Sequence, residues 1–122
     1  MNSDVAQYSV VDAPDRGRFE IRMGDEVAGF TEYHRRGGLI AFVHTEVAPE
    51  YEGKGLASRL IAGALDASRD QGLAVLPFCP FVRGYIAKHP GPYLELVPTG
   101  LREHFELPDE TKPLSAGSRT SR

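Results

Sequence analysis

Along the first half of the chain, apolar and polar positions alternate with a period of two. Phe19, Ile21 and Met23 alternate with Arg18, Glu20 and Arg22, which predicts a strand with one face wet. Gly24-Asp25-Glu26 turns the chain, and Val27 to Arg35, rich in β-formers such as Phe30, Thr31 and Tyr33, predicts a second strand. Arg36-Gly37-Gly38 supplies a hairpin turn into a third, Leu39-Ile40-Ala41-Phe42-Val43, which is apolar on both faces and is expected deep in a sheet.

From Lys54 the period changes. Leu56, Leu60, Ile61, Ala64, Leu65 and Ser68 recur at three- and four-residue intervals, while Arg59, Asp66, Arg69 and Asp70 fall on the opposite face. That is an amphipathic helix, ended by Gly72 as its C′ residue. The continuous apolar run Leu73-Ala74-Val75-Leu76-Pro77-Phe78 predicts a buried strand, and as the second half of a β-α-β crossover it should lie parallel to the third. Pro80 suits the first turn of a second helix, whose apolar face is Val82, Tyr85, Ile86 and His89 until Pro90-Gly91-Pro92 stops it. Tyr93 to Val97 predicts a last strand. The fold class is therefore α/β (α+β), with a mixed, mainly antiparallel sheet.

The ends read differently. Residues 1–17 carry scattered apolar positions and then the turn-rich Asp12-Ala13-Pro14-Asp15-Arg16-Gly17, so a loosely held arm is expected. Residues 18–107 form the domain. Residues 108–122 are polar and aperiodic, the pattern of a disordered tail.

Composition narrows the function. A chain of 122 residues with 41% hydrophobic and 25% charged positions is one globular domain. No apolar run approaches the ~20 residues of a membrane span. Met1-Asn2-Ser3-Asp4 is polar and has no apolar signal core, which predicts a cytoplasmic address. A single cysteine, Cys79, agrees with a reducing compartment. A net charge of −3 argues against a nucleic-acid-coating surface. No membrane partner is expected, and oligomeric state is left open.

The stretch from Val47 to Leu60 joins an apolar strand to the amphipathic helix through Gly53-Lys54-Gly55. Bare glycine backbone followed by the unpaired amides of a helix start makes an anion cradle suited to a phosphate or pyrophosphate. The P-loop pattern fails, because Gly53-Lys54 is followed by Gly55 and Ala48 stands five positions earlier. The dinucleotide pattern fits only as Gly53-x-Gly55-x-x-Ser58, without its βαβ context.

Glu52-Gly53-Lys54-Gly55-Leu56-Ala57 is similar to the pyrophosphate loop of the GNAT acetyltransferases, Gln/Arg-x-x-Gly-x-Gly/Ala, with Glu52 the departure. His44-Thr45-Glu46-Val47 before it, and Pro77-Phe78-Cys79-Pro80-Phe81-Val82, Tyr85 and His89-Pro90 after it, resemble the small YjdJ-type subgroup over roughly Phe19 to Leu96. The resemblance implies a GNAT-like fold and an N-acetyltransferase that uses acetyl-CoA as cosubstrate, with an amine as acceptor. It also implies that CoA contacts Val47, Gly53, Lys54, Gly55, Leu56, Ala57 and Ser58.

Four residues are candidates for chemistry. Cys79 follows the buried strand at the mouth of the second helix, where the dipole favours a thiolate; a lone cysteine is more often inert packing. The resemblance adds an acyl-pocket wall or a covalent acyl carrier. His44 and Glu46, two apart on a strand end, share a face and could take a proton from an ammonium, or could simply be solvated. Tyr85 lies on an apolar helix face as a core tyrosine would, and the resemblance implies that it protonates the departing CoA thiolate. Lys54 and Lys88 are candidate phosphate contacts. No metal is implied, because there is no cysteine pair and the four histidines lack ligand spacing. A CoA-binding module without chemistry and a purely structural interaction domain are the rival classes.

Overall fold

The computed structural model describes residues 7–107. Five strands form one sheet in the order β1-β2-β3-β4-β5. They are β1 (Tyr8–Ala13), β2 (Arg18–Met23), β3 (Glu26–Arg36), β4 (Leu39–Val47) and β5 (Ala74–Pro77). The first four form an antiparallel meander, and β5 returns parallel to β4. Helix α1 (Leu56–Asp70) makes the crossover, and α2 (Pro80–Lys88) follows β5.

The helical period translates directly into packing. The buried residues of α1 are Leu56, Leu60, Ile61, Ala64, Leu65 and Ser68, and they join Phe19, Ile21, Tyr33, Ile40 and Phe42 from the sheet in one core. Each buried Leu, Ile or Phe among them contributes about 1.5–3 kcal/mol on burial.

The N-terminal segment is a strand rather than a loose arm. β1 pairs with β2 along its full length, and Tyr8 is buried. α1 packs directly on it, since a Cβ at Gly63 would lie 2.9 Å from Val10. Arg59 also donates to the Tyr8 carbonyl at 3.1 Å. These contacts supply what the turn-rich sequence after Val11 obscured. Residues 1–6 of that arm, and the tail at 108–122, lie outside the described residues.

The expected last strand is also absent. Pro90–Tyr93 is a single helical turn, α3, and Leu94–Leu96 is 3-10. Pro90 and Pro92, with φ preset for a helix start, favour that turn over an extended chain. Val97, Phe105 and Leu107 still reach the core, and buried Arg102 holds the Val97 carbonyl at 3.0 Å.

β4 is not buried on both faces. Ile40 and Phe42 are inside, but Leu39 and Val43 are exposed. β4 also carries a bulge: Tyr33 pairs with Phe42 and Glu32 with His44, which leaves Val43 as the extra residue. A bulge reverses the alternation beyond it. The core face therefore runs from Phe42 to Thr45 and Val47, and the other face carries His44 and Glu46.

Candidate functional site

Two features meet at the end of β4. β5 pairs with β4 only as far as Phe42↔Pro77, and the Cys79 amide closes the ladder on the Phe42 carbonyl at 2.8 Å. Beyond that point β4 continues alone to Val47, so the two strands part. Next to the gap, Gly53 and Gly55 adopt φ of +85° and +74°, left-handed values that glycine reaches without strain. Gly55 is the N-cap of α1, and no side chain caps the first turn. The amides of that first turn have no side-chain partner.

Gap and loop share a cleft of about 400 Å³, lined by Thr45, Glu46, Val47, Tyr51, Glu52, Gly53, Gly55, Leu56, Ala57, Ser58 and Phe81. Of the residues expected to hold CoA, this includes Val47, Gly53, Gly55, Leu56, Ala57 and Ser58; Lys54 is exposed beside it. Tyr51 forms part of the wall and is held by a hydrogen bond from its hydroxyl to Glu26, which with partial burial pushes the phenol up to about 12. Its ring meets Tyr8 edge-on at 6.3 Å.

Cys79 is buried at the N-cap of α2. Its Sγ lies 3.3 Å from Thr45 Oγ1, which in turn lies 2.9 Å from Thr31 Oγ1. Thr45 thus stands between the thiol and the cleft. The sequence pattern gave no reason to single it out, because the bulge at Val43 is what turns it inward.

His44 and Glu46 do share a face, with Nε2 and Oε2 3.7 Å apart. That face is the one opposite Thr45 and Cys79, and both side chains are more than half exposed. Only Glu46 lines the cleft. The structure therefore keeps the pair together but only Glu46 borders the cleft: His44, its ring centroid 6.2 Å from that of Phe30, stands beside it outside the lining.

Tyr85 lies in a neighbouring cleft of about 330 Å³ with Ser58, Phe81, Lys88 and His89. The two clefts have Ser58 and Phe81 in common. The Tyr85 ring packs at a tilt against His89 and Tyr93, with centroids 4.4 and 5.8 Å away. Burial and then the Asp66 charge raise its phenol above the usual value, keeping the proton on.

Residues 18–96 match the GCN5-related N-acetyl-transferase family. Among solved structures, the chain superposes on a GCN5-like protein of Staphylococcus aureus determined by NMR, with a TM-score of 0.56 and 17% identity over 75% of this chain and 89% of that one. Ard1 of Thermoplasma volcanium aligns with a TM-score of 0.47 and 18% identity over 62% of this chain and 54% of that one. No curated protein sequence matches. With the family covering strands β2 to β5, the glycine loop and both following helices, the chain belongs to the GCN5-related N-acetyltransferases.

Proposed function

We propose that the protein binds acetyl-CoA and transfers its acetyl group to an amine. The observation that carries this reading is the single cleft joining the uncapped N-terminus of α1 to the gap between β4 and β5. The amides from Gly53 to Ser58 receive the pyrophosphate, with the helix dipole adding to their attraction. The pantetheine arm then follows the gap toward Thr45.

The backbone at Val47 supports an oxyanion-type role. The Ala48 amide bonds across β3 to the Ala28 carbonyl at 2.8 Å. By the alternation of an antiparallel ladder, the neighbouring Val47 N–H points the other way, toward the gap. A thioester carbonyl placed there would be polarised by that donor. Glu46 is the base we assign: its carboxylate lies on the other face of the sheet, 3.7 Å from His44 Nε2, but the residue borders the cleft and His44 does not. Tyr85, its proton retained, serves as donor to the departing thiolate, reached past Ser58 and Phe81.

In direct transfer, the amine nitrogen attacks the thioester carbon, the C–S bond breaks, one proton leaves the nitrogen and one reaches sulfur. Nothing in that balance requires Cys79 to be acylated. The test is CoA release from acetyl-CoA in the presence of mixed amines, paired with calorimetry of CoA. Release above the protein-free control supports the transferase; binding without release reduces the reading to a CoA-binding module, and no binding at millimolar CoA removes both.

A further inference from the structure

A second cavity adjoins the first on the opposite face of the sheet. It measures about 250 Å³ and is lined by Arg18, Val27, Ala28, Gly29, Phe30, Glu46, Val47, Ala48 and Pro49. Glu46 and Val47 line both cavities. Gly29 makes the junction tight: a Cβ there would lie 2.7 Å from the Glu46 carbonyl, so β3 packs hard against the end of β4.

The polar groups of this cavity have opposite charges. Glu46 stands beside Phe30 as its cross-strand partner, and its carboxylate is 61% exposed. The Arg18 guanidinium lies over the Phe30 ring, 4.3 Å from the centroid. It bonds Glu20 through Nε at 2.8 Å, while Arg16 and Arg22 bond the same carboxylate. Glu20 is therefore shared among three cations, and even with Glu32 across from Arg18 in register the cluster keeps a positive excess. Val27, Ala28, Phe30 and Pro49 form the apolar remainder of the wall.

We propose that this cavity is the acceptor site and that its ligand is a free amino acid with a compact apolar side chain. The inference rests on the transferase reading. The ammonium faces Glu46, at the boundary with the thioester cleft, and the carboxylate faces Arg18. The side chain lies against Phe30 and Pro49. A polyamine would set its second charge against Arg18, and a lysine within a protein offers no carboxylate beside its amine. The small volume also suits a compact free ligand.

The test compares three molecules of one shape: L-leucine, L-leucinamide and 3-methylbutylamine. Each is titrated into the ¹⁵N-labelled protein in the presence of CoA and read at the amides of Arg18, Phe30, Glu46 and Val47. Leucine is expected to shift those resonances and to bind about fivefold or more tightly than the other two, the effect of one charge-assisted pair. Glu46→Gln, at an exposed position, should weaken all three. Equal affinities, or shifts confined to other regions, would overturn the proposal. CoA release is then measured with the same three. Release driven equally by leucine and 3-methylbutylamine defeats the amino-acid assignment while sparing the transferase; leucine binding without release does the reverse.

Discussion

Thr45 Oγ1 sits 3.3 Å from Cys79 Sγ, linking the free end of β4 to the N-cap of α2. Thr31 Oγ1, fully buried, meets the same hydroxyl at 2.9 Å. The contact spans the place where β4 and β5 part, and it puts a hydroxyl rather than a thiol on the cleft wall.

That arrangement bears on the route of transfer. With Cys79 buried behind Thr45, direct attack by the amine is the simpler course, and Cys79→Ala is expected to keep kcat/KM within about tenfold of wild type. An obligatory nucleophile would lose roughly 10³-fold or more. Intact-mass measurement after incubation with acetyl-CoA alone decides between them: a stoichiometric acetyl adduct on Cys79, discharged by added amine at a competent rate, establishes the covalent route.

The loop prediction concerns backbone geometry. A Cβ at Gly55 meets open space, and Gly55 lines the cleft that the phosphates are to fill. Gly55→Val should weaken CoA binding by about an order of magnitude or more. The φ of +74° adds strain of roughly 1–2 kcal/mol, so melting is followed alongside calorimetry. Undiminished CoA affinity in the folded variant would contradict the cradle.

His44 and Glu46 give separable outcomes. Glu46→Gln should lower kcat/KM by roughly 10²-fold, as expected for loss of a general base. His44→Asn should leave kcat/KM within roughly a few-fold of wild type, because His44 lies outside the cleft. The reverse result would transfer the role to His44.

What the sequence made legible followed strong periodicity. The apolar set of α1 reappears intact as its buried face, and the crossover and the glycine loop stand where their patterns placed them. The misses have local causes. Val43, His44 and Thr45 all suit a strand, so nothing in the sequence marks Val43 as unpaired, yet that one bulge decides which of Thr45 and Glu46 faces the core. β1 reads weakly because Val10 and Val11 are adjacent and Asp12-Ala13-Pro14 follows; its stability comes from β2, Gly63 and Arg59, all distant in sequence. Tyr93–Val97 has strand composition, but the prolines before it and the core below it favour turns.

The last prediction concerns Glu20, whose side chain is fully covered although it sits on the face opposite the main core. Its cover is the stems of Arg16, Arg18 and Arg22, with contacts of 3.4, 2.8 and 2.6 Å. Burial alone would raise this carboxyl, but hydrogen bonds from Arg22 and Arg18 and their charges outweigh it and hold the group below 4.5. A folded value below the unfolded one means that ionised Glu20 stabilises the fold. That contribution is complete above the unfolded value and declines as pH falls from about 4.5 through the lower folded value. Glu20→Gln leaves three guanidiniums facing one another around a neutral amide. Because the arginines are themselves partly exposed, the expected cost at pH 7 is moderated to about 1–3 kcal/mol. Denaturant titrations of both proteins at pH 7 and at pH 3 provide the measurement. The gap between wild type and Glu20→Gln should narrow at the lower pH, where Glu20 of the unfolded chain is protonated and the charge no longer favours the fold in full; a gap that stays constant would mean that the cluster stabilises the sheet through shape and packing rather than charge.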